Sequence, residues 1–131
     1  MKILIGADPE VLLHNAAGDI VSGYGIIPGT KRNPHKVPFG AIQLDGMAAE
    51  FNIDPASTAE EFVHNISTVK KELFSYLPSG WGFATRCTHT FSPEYMAQQP
   101  EATLVLGCDP DFDGQTQQQN ILKVPVDGLR T

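Results

Sequence analysis

The sequence predicts an α+β fold in which a mainly antiparallel sheet is covered by one long helix, and three stretches carry that expectation. From Lys2 to Leu13 the residues alternate. The odd positions Ile3, Ile5, Ala7, Val11 and Leu13 form an apolar side, and Gly6, Asp8 and Glu10 a polar one, as in a strand whose successive side chains face opposite ways. Ala41 to Ile53 repeats the pattern, with Ala49, Phe51 and Ile53 on one side and Ala48, Glu50 and Asn52 on the other. Phe62, Ile66, Val69, Leu73 and Leu77 then recur at steps of three and four, giving the single apolar stripe of a helix that covers the sheet.

In chain order, Asn15-Ala16-Ala17-Gly18-Asp19 reads as a turn and Ile20 to Ser22 as a short return strand, together an antiparallel hairpin. Gly23 to Gly40 has no periodicity and carries the basic cluster Lys31, Arg32, His35 and Lys36. A loop of that length inside a compact domain serves as a lid or a binding loop, here a candidate for contact with an anionic ligand. It is not a P-loop, because no Gly-Lys-Ser/Thr follows a strand. Pro55 ends the second acid-bearing segment. Thr58-Ala59-Glu60-Glu61 opens the helix with a capping box, and Pro78-Ser79-Gly80 stops it; His64 falls off the stripe as a solvated residue. Trp81 to Phe91, rich in aromatic and β-branched residues, is expected as a strand. A short helix follows from Ser92-Pro93-Glu94 to about Gln98, then a buried strand from Thr103 to Leu106 and a glutamine-rich loop from Gln115 to Gln119.

At 131 residues and 41% hydrophobic content, the chain suffices for one domain with a real core. A net charge of −6 leaves no broad basic face to neutralise phosphates, which argues against nucleic acid and for small molecules or cations. Cys87 and Cys108 form no C-x-x-C pair, so neither a zinc ribbon nor a disulfide scaffold is implied and a reducing cytoplasm is the expected setting. No apolar run reaches the length of a signal peptide or a membrane span.

The chemistry is carried by carboxylates. Glu10 and Glu50 lie on separate strands, each beside small residues, and could converge on a hard cation such as magnesium, which is held by one or two carboxylates plus nucleotide phosphates. The rival is an exposed sheet face that the acids merely solvate, and Pro9 marks that strand as an edge. A third cluster, Asp109-Pro110-Asp111-Phe112-Asp113-Gly114, matches the opening of a calcium loop. The match fails further on, where Asn120 stands at the position of the bidentate Glu and Thr116 at the aliphatic one. That run fits better as a polar strand end beside the same cavity, or as a solvated turn. No serine or cysteine occupies a nucleophile elbow, and His14, His35, His64 and His89 show no ligand spacing.

The ordered series Gly6-Ala7-Asp8-Pro9-Glu10, Ile27-Pro28-Gly29-Thr30-Lys31, Asp45-Gly46-Met47-Ala48-Ala49-Glu50-Phe51-Asn52-Ile53-Asp54-Pro55-Ala56 and Gly107-Cys108-Asp109-Pro110-Asp111-Phe112 resembles the phage-type COOH-NH2 ligases of type 2. These are amidoligases of the glutamine synthetase-like superfamily. The resemblance implies ATP-dependent joining of a small-molecule or peptide carboxylate to an amine through an acyl phosphate, with magnesium between nucleotide and protein, in a host-cell cytoplasm. It implies that Glu10 and Glu50 are metal ligands, with Asp8, Asp109 and Asp111 beside them. Asn52 and Arg32 would then contact the cofactor, Lys31 and Arg130 would contact phosphate or the acceptor, and Asp45 would lie on the substrate side.

Family members continue beyond the equivalent of Leu129-Arg130-Thr131 into a Gly-Gly-His-x-His strand with a further metal ligand. The resemblance therefore covers the N-terminal part of a catalytic domain, and whether these residues are active alone is left open. Exposed strand edges in such a half-domain would favour a homo-oligomer. The rival from another class is a non-catalytic binding or assembly module with a structural cation site.

Overall fold

The computed structural model describes residues 2–104 and 114–118. The fold is α+β, and every strand ladder in it is antiparallel. A four-stranded sheet runs in the order β1 (Glu10–Val11), β6 (Ala48–Ile53), β5 (Gly40–Asp45), β4 (His35–Val37). A smaller sheet is ordered β3 (Ile20–Val21), β2 (Leu13–His14), β7 (Gly82–Phe83). One continuous stretch serves both sheets: Glu10 and Val11 pair with the first, Leu13 and His14 with the second, and Ile5 bridges Ala56 just beyond β6.

The expected hairpin after β2 is present, with Leu13 opposite Val21 and His14 opposite Ile20. Asn15 builds its turn, its Oδ1 accepting from the amides of Ala17 and Asp19 at 2.9 and 3.0 Å, while Gly18 takes a positive φ of 87°. Ala41 to Ile53 is two strands rather than one. Asp45-Gly46-Met47-Ala48 closes a tight hairpin, with Gly46 at φ 56°, so that Gln43 faces Glu50 and Ala41 faces Asn52. The stretch 23–40 is likewise not all loop, because His35–Val37 forms β4 against Ile42–Gly40.

Helix α1 (Ala59–Ser75) covers the side of the sheet that carries Ala49, Phe51 and Ile53. Thr58 caps it, accepting from the Glu61 amide at 3.1 Å. Glu61 returns its carboxylate one residue further back than a capping box requires, to the amide and hydroxyl of Ser57 at 2.7 and 2.9 Å. Those bonds, led by the one to the Ser57 amide, lower the Glu61 pKa. Val69 and Leu73 are fully buried, and Phe62, Ile66 and Leu77 pack around them with Leu13, Ile42 and Phe51. The helix also buries Asn65, whose Nδ2 donates to the Asp54 carbonyl at 3.0 Å. His64 is exposed as expected, edge-on to Phe39.

A second apolar cluster, Leu12, Met47, Ala48, Phe91 and Met96, lies where α2 (Pro93–Ala97) folds back over the hairpin turn. Ser92 caps α2 through the Tyr95 amide at 3.2 Å. Trp81 to Phe91 forms strand only at Gly82–Phe83. Beyond the bond from Ala84 N to Leu12 O, residues 85–88 are exposed and irregular. Thr103 is buried as expected, but in the 3-10 turn Glu101–Thr103 rather than in a strand; residues 105–106 lie outside the described residues. Residues 114–118 are turn and irregular chain, in line with the loop expected from Gln115 onward. At the other end, Ile3 and Ile5 depart from the expected core face and are 63% and 58% exposed, Ile5 at the open cavity beside the first turn of α1. Among the described residues no helix is long and apolar enough to cross a membrane.

Candidate functional site

The side of the sheet opposite α1 collects acids and amides. The ladder bonds Phe51 N to Pro9 O (3.1 Å) and Ile53 N to Ala7 O (3.0 Å) make Pro9/Phe51 and Ala7/Ile53 the hydrogen-bonded positions. Glu10 and Glu50, directly opposite each other, are thus a non-hydrogen-bonded pair, the kind whose side chains stand closest. By the same register Asp8 falls across from Asn52, and on the far side of β6 Gln43 falls across from Glu50. Asp45, two residues on from Gln43, shares that face.

Glu50 is the centre. It is only 6% exposed; its Oε2 accepts from Gln43 Nε2 at 2.7 Å, and its Oε1 stands 3.4 Å from Lys31 Nζ. A buried carboxylate is tolerated where it is both hydrogen-bonded and paired, and this one has both kinds of partner. Lys31 is delivered by the turn Thr30–Asn33, which is pinned to β5 by the Thr30–Leu44 bridge and by Leu44 N donating to Gly29 O at 3.2 Å. Gly29 makes that approach possible. At φ 84° a side chain is disfavoured, and a Cβ would meet the Ile42 carbonyl at 2.5 Å and the His35 amide at 2.6 Å.

Among the described residues, several acids share this face with Lys31. Glu10 keeps an exposed outer side, yet its carboxyl is crowded enough that desolvation, then the negative charges of Asp45 and Glu50, raise its pKa above the ordinary glutamate value; Lys31 opposes them. For Lys31, partial burial pulls its pKa down, but Glu50, Asp45 and Asp8 together outweigh this and raise it. Two acids are therefore held side by side, with Lys31 paired to Glu50 at their edge. Among the described residues no three His, Cys, Asp or Glu side chains converge closely enough to hold a metal ion by themselves. The Glu10–Glu50 pair fits magnesium in its usual protein setting, in which one or two carboxylates share the ion with water and phosphate.

Beside Lys31 opens a cavity of about 270 Å³ lined by Tyr24, Thr30, Lys31, Arg32, Asp45 and Gly46 among others. Lys31 and Arg32 give this opening two cations against the one carboxylate of Asp45, with the hydroxyls of Tyr24 and Thr30 beside them, a lining that can take an anionic ligand of modest size.

Compared with known protein families, with curated proteins and with solved structures, the chain finds no match in any of the three. The expected site residues Asp8, Glu10, Glu50, Asn52, Asp45 and Lys31 lie on or against one face, and Arg32 lines the adjoining cavity. Asp109, Asp111 and Arg130 lie outside the described residues. Gln43 is the residue that sequence reasoning missed. The available signal was a lone amide between Ile42 and Leu44, two residues before the Asp-Gly turn that folds it back onto Glu50.

Proposed function

We propose that this chain serves ATP-dependent joining of a carboxylic acid to an amine, as part of a glutamine synthetase-like catalytic domain. The observation that supports it most directly is the Glu10–Glu50 pair with Lys31 at its edge. Magnesium bound there would offset phosphate charge as the γ-phosphoryl group passes to the substrate carboxylate. Glu10 and Glu50 would hold the ion, with Gln43 fixing the Glu50 carboxylate through its 2.7 Å bond. Lys31, 44% exposed at its side chain, can swing its ammonium from Glu50 towards a phosphate or an acyl phosphate in the cavity. Arg32 adds a second cation at the cavity wall, and Asn52, across from Asp8 on the same face, can orient the nucleotide.

The test is ADP release from ATP and magnesium with mixed acids and amines, the acid carrying oxygen-18 in its carboxylate. Passage through an acyl phosphate moves one labelled oxygen into inorganic phosphate, and Glu10→Gln or Glu50→Gln should abolish both ADP release and label transfer. Full activity in both variants would reject the assignment.

A further inference from the structure

The first sheet has two outer edges, and they are built differently. The edge at β4 is blunted: it is three residues long, carries Lys36, is followed by Pro38, and has His35 tied to the Tyr76 hydroxyl at 2.9 Å. The other edge is the extended segment Lys2–Asp8. Its odd residues face β6, since Ile5 exchanges two 2.9 Å bonds with Ala56 and Ala7 accepts from Ile53. Its even residues therefore turn their amides and carbonyls outward, and among the described residues no backbone hydrogen bond reaches Leu4, Gly6 or Asp8. Ile3, Leu4 and Ile5 are each more than half exposed, and Gly6 has open space around it.

We infer that this edge pairs with a second copy of the chain, Lys2–Asp8 against Lys2–Asp8, antiparallel about a two-fold axis at Ile5, joining two four-stranded sheets into one of eight. Charge and side-chain matching favour one register. With Ile5 on the axis, Lys2 falls opposite Asp8 of the other copy, and by symmetry Asp8 falls opposite Lys2, so one register makes two opposite-charge pairs. Moving the axis to Leu4 makes none, and moving it to Gly6 sets Asp8 against Leu4 and Lys2 against Glu10, whose side chain already stands beside Glu50. The same register makes Leu4 and Gly6 of the two copies the hydrogen-bonded pair, which uses the outward amides and carbonyls. It also brings Ile5 against Ile5 and Ile3 against Ala7 on the α1 side. There an apolar cavity of about 330 Å³, lined by Ile5, Ala56, Ala59, Phe62 and Val63, lies open beside the axis. The contact is isologous and so closes at two copies.

The experiment is sedimentation of the full chain over a concentration series, with amide exchange of Leu4 and Gly6 read in parallel. Mass should rise to twice the 14.2 kDa of one chain at about 100 μM, and protection of Leu4 and Gly6 should rise with it. Ile5→Lys, which places like charges on the axis at a position exposed in the single chain, and Gly6→Pro, which removes an outward donor, should each weaken dimerisation roughly tenfold or more. Lys2→Asp and Asp8→Lys should each weaken it, and the double reversal should restore it; restoration requires the antiparallel register and cannot come from repaired folding. A monomer at every concentration overturns the proposal. So does protection that does not depend on concentration, which would give the edge to the chain's own residues, or oligomers that grow beyond two copies.

Discussion

At the scale of single residues, the site is a compromise between stability and charge. Like charges directly opposite in a sheet are destabilising, and Glu10 faces Glu50. The raised pKa of Glu10 means that its contribution is most favourable when it is protonated, below the ordinary glutamate value, and is lost as pH rises through the folded-state value. Glu10→Gln should therefore stabilise the fold by about 0.5 kcal/mol at pH 7 and by almost nothing at pH 4, while removing activity. Denaturant titrations at the two pH values check this, and a variant less stable than the parent at pH 7 would contradict it. The two partners of Glu50 differ in worth. Lys31 is nearly half exposed, so Lys31→Met should cost no more than about 1 kcal/mol. Gln43→Leu strands a buried carboxylate oxygen and should cost about 2 kcal/mol, although no charge is removed. Glu10 and Glu50 were legible in the sequence because strand alternation marks them; Gln43 was not, because its role exists only once Asp45-Gly46 folds β5 back on β6.

At the scale of elements, what could be read locally was read well. Helix α1 announces itself by its cap and its stripe, and both ends fall where Thr58 and Pro78 place them to within a few residues. Thr58→Ala should cost about 1 kcal/mol through the lost Glu61 amide bond, and Leu73→Ala, at a fully buried position, about 3 kcal/mol. Thermal unfolding of the two variants should rank them in that order; equal losses would mean that α1 is held mainly by its end rather than by its packing. Strands were harder, because a strand needs a partner that composition does not name. Thr85 to His89 has suitable residues yet is irregular chain, whereas His35–Val37 looks like loop and becomes β4 because Gly40–Ile42 turns back beside it.

For the whole molecule, the organising fact is that the strand carrying Glu50 is packed on both of its faces. One core cluster lies under α1 and the other under α2, and they meet where Leu12 and Leu13, adjacent in sequence, point into different clusters. Glu50 sits at that junction: its neighbour Ala49 belongs to the first cluster, and Ala48 belongs to the second. The α2 cluster packs on the carboxylate's own side of the sheet, and the α1 cluster holds the same strand from behind. Phe91, 3% exposed and stacked on Tyr95 with ring centroids 5.0 Å apart, anchors the second cluster. If the two clusters form one cooperative unit, Phe91→Ala should lower global stability by about 3 kcal/mol in a single transition. Far-UV dichroism of α1 and near-UV dichroism of the aromatic residues should then move together. If the α2 cluster were an independent lobe, the near-UV signal would be lost first while α1 kept its midpoint, and the junction at Leu12–Leu13 would not be what holds Glu50 in place.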